Sequence, residues 1–262
     1  MRVAALYRYP IKGFTGEERP SLDIHENGRI EGDRVLGLRF ANARPADDAW
    51  GTKHEFVVLV NTPGLALLQL GFDPHRLRVR LSSGGKVLAD EGLDAAGRER
   101  IASAVQRFVL EQPGNPLAAD AARIPIRLVG DGRTPRYQDK EAGHVTLHGR
   151  ASVKAAAQAA AVGELSEARF RSNIAVEGLR AWEEQAWIGR RLRIGDVEFR
   201  AVEPKTRCLA THANPRTGQR DVPVMQTLMK AFPAEKPTLA IALLPRSGGG
   251  SIHVGDRIEL LD

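Results

Sequence analysis

Apolar and polar residues alternate in short runs through the first third of the chain. VAALYRY (3–9), PSLDIH (20–25), DRVLGLRF (33–40), EFVVLV (55–60), LRVRLS (77–82) and KVLAD (86–90) read as strands. Gly, Pro, Asn or Asp bounds each of them. The period then changes. In GRERIASAVQRFVLEQ (97–112), Ile101, Val105, Phe108 and Val109 share one helical face, and Pro113 and Gly114 end it. Residues 115–122 read as a loop leading into a strand, IPIRLV (124–129).

The rest of the chain is again strand-rich. HVTLHG (144–149), NIAVEG (173–178), RLRIG (191–195), VEFRAVE (197–203), TLAIALL (238–244) and IHVGDRIELL (252–261) carry the strand pattern. ASVKAAAQAAAV (151–162) predicts an Ala-rich helix with Ser152 as N-cap and Gly163 as its stop. VMQTLMKAF (224–232) is the one late helix. Helices are too few and too irregularly placed for a doubly wound parallel sheet. The pattern predicts a mixed α/β, strand-dominated fold in which antiparallel strands close into a barrel, with a few flanking helices.

Composition narrows the class. With 42% hydrophobic and 27% charged residues over 262 positions, the chain reads as an ordinary soluble globular protein of one or two domains. No apolar run approaches the roughly 20 residues of a membrane span, and VAALY is too short for a signal peptide. A single cysteine suits a reducing compartment, so the expected location is the cytoplasm, with no membrane partner. The charge of +6 points to an anionic partner. Aromatics are only 5% and the basic residues are scattered, which disfavours nucleic acid and leaves a small phosphorylated ligand.

Common catalytic motifs are absent: no phosphate loop, no G-x-S-x-G elbow, no G-x-G-x-x-G after a strand. His54-Glu55 lacks a second histidine. His144 and His148 lie four apart on an expected strand, on one face, and read as polar positions before they read as a metal pair. Arg76, Arg78 and Arg80 share a face in the same way and read as a solvated edge. One thiol excludes an internal disulfide and a multi-cysteine iron–sulfur cluster. Cys208 is then either a small buried hydrophobe or a functional thiolate, and Lys205 and Arg207 beside it favour the thiolate.

The segment around it is more specific. T-R-C-L-A-T-H-A-N-P-R-T-G (206–218) resembles the cysteine loop of MOSC domains through Arg207, Cys208, Thr211, Pro215, Thr217 and Gly218. RFRSNIAVEG (169–178) resembles that domain's F-R-P-N-I segment, WIGRRLRIGDVEF (187–199) the stretch joining it to the cysteine loop, and IHVGDRIELL (252–261) the closing strand pair. YRYPIKG (7–13) and GRIEGDR (28–34) resemble the β-barrel region that precedes it in the amidoxime-reducing subgroup. The implied division is an N-terminal barrel-like region over 1–112 and the MOSC domain over 113–262, packed as one unit.

The resemblance implies a molybdenum cofactor. Cys208 would be the protein ligand to molybdenum and the catalytic residue; Lys12, Arg34, Arg171 and Asn173 would anchor the pterin and its phosphate. Gly13, His144, Thr206 and Arg207 would add contacts. Gly13, Ser172, His144 and Asn214 depart from residues common in the family. The implied activity is a molybdenum-dependent oxidoreductase that reduces N-hydroxylated or N-oxide small molecules. No flavin or iron–sulfur motif is visible, so it would need an external electron-donor protein. The alternative is a cofactor or sulfur carrier that forms a Cys208 persulfide with a partner cysteine desulfurase.

Overall fold

The computed structural model describes residues 1–232, 235–246 and 248–261. In chain order the strands and helices are β1 (Arg2–Arg8), β2 (Glu17–Arg19), β3 (Ser21–Ile24), β4 (Gly37–Arg39), β5 (Gln69–Asp73), β6 (Arg78–Ser83), β7 (Lys86–Gly92), α1 (Ala95–Leu110), α2 (Pro116–Ala119), β8 (Arg127–Val129), β9 (Val145–Gly149), α3 (Arg150–Ala159), β10 (Ile174–Glu177), β11 (Arg191–Ile194), β12 (Val197–Thr206), α4 (Val224–Ala231), β13 (Thr238–Pro245), β14 (Gly250–His253) and β15 (Ile258–Leu260). The strand-dominated α/β expectation holds. No described helix is long and apolar enough to cross a membrane.

Eight strands form one mixed sheet in the order β15-β11-β12-β13-β9-β10-β1-β2. Every ladder in it is antiparallel except β9 with β10, which are parallel and joined by α3 as the crossover that such a pair requires. The expected closed barrel is not seen as a continuous ladder. Instead β1 meets the segment before β15 at one bridge, Arg2 with Arg257, flanked by Val3 N donating to Asp256 O at 2.9 Å and Gly255 N donating to Val3 O at 2.9 Å. The strands expected to close the domain as a pair separate: β14 joins β3, and β15 joins β11.

The core is divided. Val3, Leu6, Leu147, Ile174, Phe199 and Ile241 belong to an apolar cluster on the large sheet. Ile11, Leu36, Leu38, Leu65, Ile101 and Val105 belong to another, around β4–β8 and α1. Strands β1 and β2 thus build into a sheet made otherwise of strands from residue 145 onward.

Helix α1 starts where Asp94 Oδ1 accepts from Gly97 N at 2.9 Å, and of the four residues its period marked, Ile101, Val105 and Val109 are buried and Phe108 is half-buried. The loop expected at 115–122 holds the single turn of α2, capped by Asn115. Residues 55–60 are not a strand. Thr52 and Glu55 form a capping box on a short turn, and Asn61 Oδ1 accepts from Val58 N while its Nδ2 donates to Phe56 O. The run meets β4 at a single bridge, Arg39 with Phe56, where Phe40 N donates to Glu55 O and Val57 N to Leu38 O, and Asn61 then takes over at Val58 and ends the pairing.

Ser152 is likewise not an N-cap, because α3 begins at Arg150 and is capped by Gly149. Its buried hydroxyl donates to Glu184 Oε2 at 2.9 Å and accepts from Trp182 N at 2.8 Å. Arg78 and Arg80 do sit on a solvated face, where both pair with Asp90.

Candidate functional site: a basic cleft beside Cys208

The cleft gathers residues distant in sequence, and its formation starts in β12. Register shifts fall between Ala201 and Glu203 and between Pro204 and Thr206. Pro204 has no N–H to give the ladder, and such irregularities re-aim the residues that follow. Arg207 N then donates to Pro237 O at 2.7 Å, and Arg207 Nη1 donates to Phe170 O at 2.8 Å, so the buried arginine pins the strand end. Cys208 follows, half-buried, at the head of a short turn over Leu209–His212. Its carbonyl accepts from Thr211 N at 3.0 Å and Thr211 Oγ1 at 2.9 Å. Thr211 thus fixes the loop from behind.

Two buried cations come from the first segment of the chain. Lys12, only 2% exposed, donates from Nζ to Tyr137 O at 2.9 Å and Gln138 O at 3.1 Å, and its Nζ lies 3.6 Å from Asp139 Oδ1. Burial pushes the Lys12 ammonium below its ordinary range, Asp139 opposes that, and Arg34 and Arg171 add to it. Arg34 bonds Asp33.

The guanidinium carbons of Arg34 and Arg171 each lie 4.8 Å from the centre of the Tyr9 ring. Tyr9 is buried, and its hydroxyl donates to Ser172 O at 3.1 Å. Both arginines have left-handed backbones, with φ of 51°. Holding a residue with a Cβ there costs about 1–2 kcal/mol at each position, which the surrounding packing must supply.

Arg171 differs from its neighbours. Its Nε is buried without a hydrogen-bond partner, and no hydrogen bond or ion pair holds its guanidinium among the described residues. Arg169 is the reverse case. It donates from Nη1 to Thr211 O and His212 O and from Nη2 to Asp221 Oδ1 at 2.7 Å, tying the cysteine loop to the segment before β10. His212 Nε2 in turn accepts from Met225 N at 3.2 Å in the first turn of α4.

The cleft opens to solvent and encloses about 120 Å³ of space that a water-sized sphere can occupy. Lys12, Gly13, Arg34, His144, Arg171, Thr206, Arg207 and Cys208 all line it. Asn173 does not. It is fully buried behind the wall, donating to Tyr7 O at 3.1 Å and Asp33 Oδ1 at 3.4 Å and accepting from Thr146 Oγ1 at 3.0 Å. From there it positions β1, β9 and the Asp33–Arg34 corner rather than touching the cleft.

His144 and His148 part company. His144 Nδ1 stands 3.6 Å from Glu203 Oε1 at the cleft, and burial together with Lys205 pushes its pKa down. His148 is buried behind, with Nε2 3.3 Å from Glu167 Oε2. They form no metal pair.

Sequence reasoning missed Tyr9 as the platform for two arginines, Asp139 as a cleft carboxylate, and Arg169 as the strut of the cysteine loop. Tyr9 lay inside the quoted YRYPIKG motif, which was the available signal. Asp139 lies in a charged loop with no pattern to mark it. Lys205, noted only as a neighbour of Cys208, also lines the cleft, and burial followed by Arg207 pushes its ammonium down. Burial holds the Arg207 guanidinium down to about 10, with Cys208 opposing.

Gly13 shapes one lip. Its φ is +76°, and a Cβ there would fall 2.3 Å from Val58 Cγ1 and 2.8 Å from Val58 Cα. Gly13→Ser should therefore destabilise the protein by about 2–4 kcal/mol, from left-handed strain plus overpacking, as read by urea unfolding. An unchanged midpoint would show that the lip can move away from Val58.

A strand-rich domain presenting one cysteine at the head of a turn, inside a basic cleft, defines the class. Residues 136–259 match the family model of the MOSC domain. Among curated relatives, mitochondrial amidoxime-reducing component 1 of Homo sapiens is 25% identical, over 99% of this chain and 82% of that protein. The mouse protein of the same name is 34% identical over 35% of this chain and 29% of its own length. Human molybdenum cofactor sulfurase is 38% identical over 24% of this chain, a match that spans only 7% of that protein. Among solved structures, the YUAD protein from Bacillus subtilis aligns over 99% of this chain and 94% of its own, with 11% identity and a TM-score of 0.44.

Proposed function

We propose that the cleft binds a molybdenum-containing pterin cofactor and that the protein is an oxidoreductase acting on N-hydroxylated or N-oxide small molecules. The observation that carries this reading is Arg171. A guanidinium without an anionic partner, on the wall that also bears Cys208, calls for an anion such as a cofactor phosphate. The MOSC match and the relatives' names support the same cofactor.

The donor set fits the group. Among the described residues no three His, Cys, Asp or Glu side chains are placed to share a metal. Cys208 therefore suits a metal that arrives with its own ligands and takes one thiolate from the protein. Lys12, Arg34 and Arg171 would hold the phosphate, and Arg207 and Thr211 would keep the Cys208 loop in place. Asn173 would keep the Asp33–Arg34 corner against β10 from outside the cleft. When bound, the cofactor would supply two-electron oxygen-transfer chemistry, with electrons from an external donor protein.

A second reading, a cofactor or sulfur carrier, draws on the local matches to the human and bovine molybdenum cofactor sulfurases, at 38% and 40% identity. The half-buried position of Cys208 is compatible with it. Protein produced in a molybdopterin-competent host should contain close to one molybdenum per chain and reduce amidoximes with an artificial reductant. Protein without molybdenum would overturn the cofactor reading. Loaded but inactive protein, with Cys208 gaining the mass of one sulfur atom after treatment with a cysteine desulfurase, would favour the carrier.

A further inference from the structure

We propose that Asp139 is a counter-anion of the cleft: in the free protein its carboxylate stands beside Lys12 at the edge of the anion site, and it is displaced when a phosphate enters. The inference rests on reading the cleft as an anion site and concerns how that site is guarded.

Among the residues that line the cleft, Asp139 is the only carboxylate. Its Oδ1 lies 3.6 Å from Lys12 Nζ, and the same ammonium donates to the carbonyls of the two preceding residues. The loop before Asp139 is thereby hung on Lys12, while the Asp139 side chain itself is 83% exposed. The crowding of its loop works to raise the Asp139 carboxyl, but the nearby cations Lys12, Arg34, Arg171 and Lys205 hold it well below the ordinary carboxylate range. The carboxylate therefore remains charged, and its exposure means that water screens each of these attractions.

A loosely held internal anion has two effects. It offsets the mutual repulsion of the cations when the cleft is free. It also makes every incoming anion forfeit the same carboxylate interaction, so weakly held monoanions are kept out and only a ligand with several strong contacts binds. If Asp139 swings out, that forfeit is equal for mono- and dianions. If it stayed in place, Coulomb repulsion would burden a dianion about twice as much.

The test uses the cofactor-free protein with inorganic phosphate and acetate as probes, followed by NMR titration at pH 8. Asp139→Asn should tighten both by a similar factor, about tenfold, and lower the melting temperature of the ligand-free protein slightly. No gain, or weaker binding, overturns the proposal, as does a gain for phosphate far larger than for acetate. If neither protein binds phosphate at all, the anion-site reading falls together with this one. If the wild type binds and Asp139→Asn binds no better, only the counter-anion role fails.

Discussion

Cys208→Ala should lower bound molybdenum and turnover by at least about 100-fold while the protein keeps its fold. The fold does not lean on the sulfur. It is the Cys208 carbonyl, not the side chain, that accepts both bonds from Thr211, and those bonds survive the substitution. The position is also half-exposed, so the lost volume leaves no sealed cavity and should cost under about 1 kcal/mol. A thiolate is the one soft anionic donor the chain offers, and alanine cannot replace it. Metal analysis, an activity assay and urea unfolding on the same preparation separate the two effects. A variant retaining full molybdenum and activity would remove Cys208 from the centre of the mechanism. A variant that unfolds would show instead that the thiol is structural.

Two arginines separated by one residue should respond in opposite ways. Arg169→Ala should destabilise the protein by about 2–4 kcal/mol. It strips three acceptors, Thr211 O, His212 O and Asp221 Oδ1, of their charged donor in a largely buried setting. Arg171→Ala should barely move the unfolding midpoint, since among the described residues that guanidinium makes no hydrogen bond or ion pair and stacks on Tyr9. Its loss should appear as 10–100-fold weaker phosphate or cofactor binding. Unfolding curves and a phosphate titration on both variants give a two-by-two comparison. If Arg171→Ala proved the more destabilising, the stacking would be structural and the anion-site argument would lose its main support.

Much of the fold could be read along the chain where one periodicity ran unopposed. The face of α1 marked by Ile101, Val105 and Val109 is the face that is buried, because nothing else competes for those positions. Reading failed where a side chain replaced a backbone partner. At 55–60 an apolar run looked like a strand, yet it pairs with β4 at one bridge only, and Asn61 takes the next amide, that of Val58. Ser152 looked like a cap but is drawn inward by Glu184, a residue 32 positions away that no local pattern announces. The pairing of β14 with β3, rather than with β15, is a long-range choice of the same kind.

The site divides along the same line. Sequence by itself determined the chemistry: one thiol, its basic neighbours and an excess of cations looking for an anion. It also carried the ordered motifs that mark the MOSC domain at 136–259. Only the tertiary structure decided which cations converge. It stacks Arg34 and Arg171 on Tyr9, sends Asn173 behind the wall, splits His144 from His148, and sets Asp139 against Lys12. The physical reason is that residue identity and spacing describe what one stretch of chain can do. Charge–charge and stacking contacts across more than a hundred residues arise only when sheet pairing and burial bring those stretches within a few ångströms.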